Sequence, residues 1–209
     1  MDVPHLPRGL YAIVDSLERA AAAVEGGAAV VQLRVKGAGA GRMLATARAI
    51  GALCKGRAAF IMNDRPDLAR LSDADGVHLG QDDLPVAAAR AVIGPGRLVG
   101  VSTHSDGEID AALAAGADYL GFGPVFATSS KDAALPPPHG IDGLSRAVRR
   151  ARGVPVVAIG GITSATVREV AATGARCAAA IAELARDPLA ASRFAEAFRG
   201  EPPVDAGSP

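Results

Sequence analysis

Eight short apolar runs alternate with segments of helical periodicity and recur about every 24 residues, which predicts an α/β fold: a single (β/α)8 TIM barrel. Most of the runs are continuously apolar rather than alternating, as strands covered on both faces are. A length of 209 residues suits one domain. An open doubly wound sheet is the competing arrangement. Eight units, with no second domain visible, favour the closed one. The barrel is placed at residues 1–200, and the polar, Pro- and Gly-containing stretch 201–209 is expected to be a flexible tail.

The strands are expected at residues 10–15, 30–35, 58–63, 76–80, 98–102, 119–124, 154–161 and 177–182. Helical spacing of apolar residues marks 17–25, 42–53, 85–93, 106–115, 141–151, 164–173 and 188–198, with a short helix after Pro66. The first helix runs into Gly26-Gly27, a C-cap signal. Pro85 and Pro188 suit a first helical turn, and Ser164 suits an N-cap. Gly26-Gly27-Ala28, Ala115-Gly116-Ala117 and Thr173-Gly174-Ala175 precede strands two, six and eight, one helix-to-strand device used three times.

Composition narrows the function. Hydrophobic residues are 49% and charged residues 21%, enough for a core. Lys+Arg and Asp+Glu are each 22, so net charge gives no reason to bind nucleic acid or an anionic membrane. Aromatics are 3% and Trp is absent, which argues against base-stacking platforms. No apolar run approaches the ~20 residues of a spanning helix, and the N-terminus lacks a signal pattern. Cys54 and Cys177 lack metal-ligand spacing. A cytoplasmic protein is expected.

In such a barrel the chemistry sits at the C-terminal strand ends. Gln32, Arg34 and Lys36 have period two and would share a face of strand two. If that face is the interior, the cations need a bound anion or an ion pair with Asp64 or Asp83. Those carboxylates end strands three and four, where they could hold Mg²⁺ or cap helices. Only three of the 22 basic residues are Lys: Lys36, Lys55 and Lys131. Thr128-Ser129-Ser130-Lys131 opens a long loop that could close over a polyphosphate or stay solvated. Gly160-Gly161 after strand seven fits either a phosphate site or a tight turn. No Ser-His-Asp or His-rich metal pattern is present, and His78, inside a strand, reads as packed and hydrogen-bonded.

Several segments, in order, resemble the thiamine phosphate synthase family. They are Val31-Gln32-Leu33-Arg34-Val35-Lys36, Met62-Asn63-Asp64-Arg65, Asp75-Gly76-Val77-His78-Leu79-Gly80-Gln81-Asp82-Asp83, Gly100-Val101-Ser102-Thr103-His104, the run from Gly116 to Phe126, and Ala158-Ile159-Gly160-Gly161-Ile162. The resemblance implies a barrel that joins a hydroxymethylpyrimidine diphosphate to a thiazole phosphate, releasing pyrophosphate. It implies Arg34, Lys36, Asn63, Ser102 and Lys131 on the diphosphate, with Arg34, Lys36, Ser102 and Lys131 carrying the catalysis. Asp64 and Asp83 would bind Mg²⁺, and Gln32 with Tyr11 would meet the pyrimidine. Thr128 and Ser130 would meet the thiazole phosphate or the bridging region, and Gly161 with the backbone near Ile181 and Ala182 would bind the thiazole phosphate. The partners implied are small phosphorylated molecules, and a homodimer follows from the habits of barrels.

Three features depart from the family pattern. The loop after strand one is short, Asp15-Ser16 leading straight into the helix. Ala182-Glu183 stands where a Ser is usual, and Ala127-Thr128-Ser129-Ser130-Lys131 replaces Pro-Thr-x-Thr-Lys. The alternatives are a thiazole tautomerase-like isomerase, which would carry His in place of Pro124, and a diverged barrel that binds a thiamine precursor without catalysis.

Overall fold

Short apolar strands that cannot leave a backbone edge unpaired close on themselves when each is followed by a helix wide enough to cover it. The computed structural model, which describes residues 5–128, 136–187 and 189–199, shows this closure. The order is β1 (Gly9–Val14), α1 (Leu17–Glu25), β2 (Val30–Leu33), α2 (Ala40–Cys54), β3 (Ala59–Asn63), α3 (Pro66–Leu71), β4 (Gly76–Leu79) and α4 (Val86–Ile93). There follow β5 (Leu98–Thr103), α5 (Asp106–Ala114), β6 (Tyr119–Phe122), α6 (Gly140–Arg150), β7 (Val156–Ala158), α7 (Val167–Ala172), β8 (Cys177–Ala180), α8 (Ala182–Arg186) and α9 (Ala190–Ala197). Neighbouring strands pair in parallel, and β8 returns to β1 to close the barrel. The predicted fold class holds. Among the described residues no helix is long and apolar enough to cross a membrane.

Strand alternation separates two cores. Leu10, Ala12 and Val14 pack outward against helix residues such as Ala20, Ala23 and Ala47. Tyr11 and Ile13 point inward with Val30, Ile61, Leu98, Tyr119, Val157, Cys177 and Ala179, a cluster to which no helix contributes. The inner core is plugged from the N-terminal end by Leu6, which is 1% exposed. Arg176 Nε holds the Leu6 carbonyl at 2.8 Å, and Arg8 lies 5.0 Å over the Phe198 ring. A repeated aspartate device ties the same end. Asp75, just before β4, accepts the Phe60 N–H at 2.7 Å, and Asp118, just before β6, accepts the Val99 N–H at 2.7 Å.

The structure moves several boundaries. β2 ends at Leu33, so the alternation linking Gln32, Arg34 and Lys36 does not extend to Lys36, which is exposed in the following bend. β7 spans only Val156–Ala158 because the chain turns into the Gly160-Gly161 loop. α7 begins at Val167, and Ser164 does not cap it. The Ser164 amide is engaged by Glu183 of α8, a helix absent from the sequence expectation. Pro188, expected in a first turn, lies outside the described residues, as does 201–209.

Candidate active site

The C-terminal strand ends surround a cavity of about 270 Å³. β2 contributes Gln32 and, just past its end, Arg34; β3 contributes Asn63, β4 His78, and β5 Ser102 and Thr103. On the opposite wall stand Gly160, Gly161 and Thr163 after β7, and Ile181, Ala182, Glu183 and Arg186 after β8. Arg34 faces inward because its amide still donates to Val14 O at 2.8 Å, which carries the β2 register one residue past the strand. Thr128 lines the cavity as well. Ser130 and Lys131 lie outside the described residues.

Asp64 and Asp83 do not cap helices. The N-cap of α3 is Arg65 and that of α4 is Pro85, neither with a side-chain cap bond. Asp64 sits at φ 61°, in the left-handed region that Asp tolerates better than most residues, and its amide donates to His78 O at 2.8 Å. Asp83 Oδ2 takes the Gly80 N–H at 2.7 Å. This folding-back brings the two carboxyls into contact. Desolvation first, and then hydrogen bonding and like charge from Asp83, push the Asp64 carboxyl up to about 6 against the pull of Arg34 and Asn63. Two carboxylates in contact beside an arginine form an oxygen-donor pair suited to a hard divalent cation. Among the described residues no third His, Cys, Asp or Glu joins them, so remaining ligands would be ligand oxygens and water.

On the far wall, Gly160 and Gly161 have φ 99° and 63°, and a Cβ on Gly161 would lie 2.4 Å from Ala127 O. Bare backbone is therefore required where the loop meets the cavity. The Glu183 carboxylate accepts the Ser164 N–H at 2.9 Å, and the Ser164 hydroxyl donates to Asp187 at 3.3 Å. Glu183 is thus held by backbone, not by Arg186. No salt bridge joins Glu183 to Arg186 among the described residues, and Arg186 stays exposed on the cavity wall.

Tyr11 is on the cavity floor but 1% exposed, with its hydroxyl engaged by Gln32 and Tyr119. It supports Gln32 more than it offers a hydrogen bond to a ligand. Sequence reasoning passed over Tyr119 and took Arg186 only as a partner for Glu183, not as part of the cavity wall. The missed signal for the first was that the chain has only two tyrosines, both on strands and both inward-facing. For Arg186 there was none, since α8 was not foreseen.

Comparison with known proteins agrees with this geometry. Residues 10–184 match the family model described as thiamine monophosphate synthase, a span that takes in all eight strands. The chain is 52% identical over 197 residues to a thiamine-phosphate synthase of Anaeromyxobacter dehalogenans (strain 2CP-C), covering 91% of this chain and 87% of that protein. It is 45% identical over 211 residues to one of Myxococcus xanthus (strain DK1622), covering 94% and 91%. A solved thiamine phosphate pyrophosphorylase from Pyrococcus furiosus superposes with a TM-score of 0.82 at 35% identity, over 91% of this chain and 95% of that one. With the family model matching residues 10–184 and relatives 52% and 45% identical over most of both chains, the chain belongs to the thiamine monophosphate synthase family.

Proposed function

We propose that this chain is a transferase that joins hydroxymethylpyrimidine diphosphate to thiazole phosphate, forming thiamine phosphate and pyrophosphate. The observation that carries the reading is the convergence of Arg34, Asn63 and Ser102 on one side of a single cavity, with the Asp64–Asp83 pair beside Arg34, facing a glycine backbone on the other. Asp64 and Asp83 fit Mg²⁺; when bound there, the ion would supply positive charge to diphosphate oxygens. Arg34 grips the diphosphate with its planar fork, and Asn63 and Ser102 donate hydrogen bonds to it. Lys36, exposed just past β2, and Lys131, which lies outside the described residues, are assigned to the diphosphate by their motif positions alone.

The chemistry follows from where charge develops. The C–O bond between the pyrimidine methylene and the diphosphate breaks with its electron pair going to oxygen. The negative charge grows beside Arg34 and Ser102, whose orientation costs no reorganisation at that moment. The methylene is left as a ring-stabilised cation next to the Gln32 amide. On the far wall the Gly160–Gly161 backbone and Thr163 hold the thiazole phosphate, with Ile181 and Ala182 beside it. The thiazole nitrogen then gives its lone pair to the cationic carbon, and no protein nucleophile is consumed. The two cysteines agree with this role, since burial pushes the Cys54 thiol up to about 11 and the Cys177 thiol up to about 12. Pyrophosphate release on mixing both substrates with Mg²⁺ tests the reading. Turnover of the thiazole compound alone, without the pyrimidine, would overturn it in favour of an isomerase.

A further inference from the structure

Beneath the cavity a line of polar groups crosses the inner core, where hydrophobic side chains would be the ordinary filling. Gln32 Nε2 donates to Tyr11 Oη at 2.8 Å. Tyr11 Oη and Tyr119 Oη are 2.9 Å apart. Tyr119 Oη lies 3.1 Å from His78 Nδ1, and His78 Nε2 lies 2.9 Å from Ser102 Oγ. The five residues come from β2, β1, β6, β4 and β5. Both ends, Gln32 and Ser102, line the cavity.

Two glycines make room for this line. A Cβ on Gly100 would sit 2.0 Å from Tyr119 Cζ, inside the ring's own volume. A Cβ on Gly121 would sit 3.1 Å from His78 Cε1. The imidazole stacks on the Tyr119 ring at 5.5 Å with an interplanar angle of 29°. Tyr11 and Tyr119 are 1% and 0% exposed, so water cannot replace the hydrogen bond between them, while His78 is half-buried at the cavity wall. Burial also raises both phenols above their ordinary range, and both keep their protons.

We propose that His78 is a positioning residue: a one-directional chain of hydrogen bonds, Gln32 to Tyr11 to Tyr119 to His78 to Ser102, holds it as the Nε2–H tautomer and turns the Ser102 hydroxyl proton toward the substrate's diphosphate. The direction follows from counting protons. Tyr11 accepts from the Gln32 amide, so its own single proton goes to Tyr119. Tyr119 has then accepted, and its proton goes to His78 Nδ1. A ring nitrogen that accepts is bare, so the neutral imidazole carries its proton on Nε2 and donates it to Ser102 Oγ. Ser102 is left with its own proton to give, and the cavity holds the remaining open direction. At the other end, Gln32 has spent an N–H downward and presents its carbonyl oxygen to the ligand. The reverse direction would require the Nδ1–H tautomer and would aim the Ser102 lone pairs at an anion beside Arg34.

The role given to Ser102 rests on the transferase reading above; the tautomer does not. Nitrogen NMR on the full chain with ¹⁵N-labelled histidine reads the tautomer directly, and the chain has only four histidines to assign. The wild type is expected to show His78 protonated on Nε2 and bare on Nδ1. Tyr119→Phe keeps the ring against Gly100 and removes the one proton that fixes the tautomer. The His78 signals should then move toward a mixture of tautomers. In the same variant kcat should fall about tenfold, the size of one well-placed hydrogen bond, with KM for thiazole phosphate unchanged. A wild-type Nδ1–H tautomer, a doubly protonated ring, or signals unmoved in Tyr119→Phe would each overturn the proposal. If the variant failed to fold, the wild-type spectrum alone would still decide. Wild-type protein without pyrophosphate release but with the expected tautomer would overturn the transferase reading and leave the hydrogen-bond chain standing.

Discussion

Replacing Asp64 by Asn should make the metal-free protein more stable at alkaline pH and leave it unchanged in acid. Asp64 holds its proton up to about pH 6, because desolvation and then Asp83 disfavour its charge. A carboxyl raised in the folded state binds its proton more tightly there than in the unfolded chain, whose value is near 3.9. Its contribution to stability is therefore full below about pH 4 and is lost as pH rises through about 6. Between the two carboxyl states the difference corresponds to at most about 3 kcal/mol. Asp64 is exposed, and solvent screening there reduces the expected effect to about 1 kcal/mol. Asn is the apt replacement, since it tolerates φ 61° and imitates the protonated carboxyl. Urea unfolding of both proteins between about pH 4 and pH 8 measures the effect. The wild type should weaken relative to Asp64→Asn by about 1 kcal/mol across that window. Added Mg²⁺ should restore the wild type at the alkaline end and leave the variant unmoved. Parallel pH profiles, or equal stabilisation of both proteins by Mg²⁺, would refute the reasoning that these carboxyls repel each other and await a cation.

Other expectations follow from packing and charge. Gly100→Ala should cost about 3 kcal/mol in urea unfolding, because the new methyl would meet the immobile Tyr119 ring. Leu6→Ala should cost a similar amount, about 3 kcal/mol, yet leave pyrophosphate affinity intact by calorimetry, since Leu6 plugs the end of the barrel away from the cavity. Glu183→Gln keeps an acceptor for the Ser164 amide while removing a negative charge from the cavity wall. Steady-state kinetics should show KM for thiazole phosphate falling about threefold with kcat unchanged.

The amino-acid sequence by itself determined the barrel. Continuous apolar strands, the repeated Gly-Ala turns and the helix periods are local, and each strand core was placed correctly because its residues can be buried in no other way. The types of residue at the strand ends were legible for the same reason. Tertiary structure alone decided which of them work together. Lys36 left the interior when β2 stopped at Leu33, and Asp64 met Asp83 only because the chain turns back at a left-handed residue. Glu183, ambiguous as a letter at the end of strand eight, is tied to Ser164 by a helix that no periodicity announced. Tyr11, Gln32, His78, Ser102 and Tyr119 are spread over more than a hundred positions in the chain. Hydrogen bonds between them depend on the stagger of neighbouring strands around a closed barrel, a property of the whole ring that no local stretch of sequence contains.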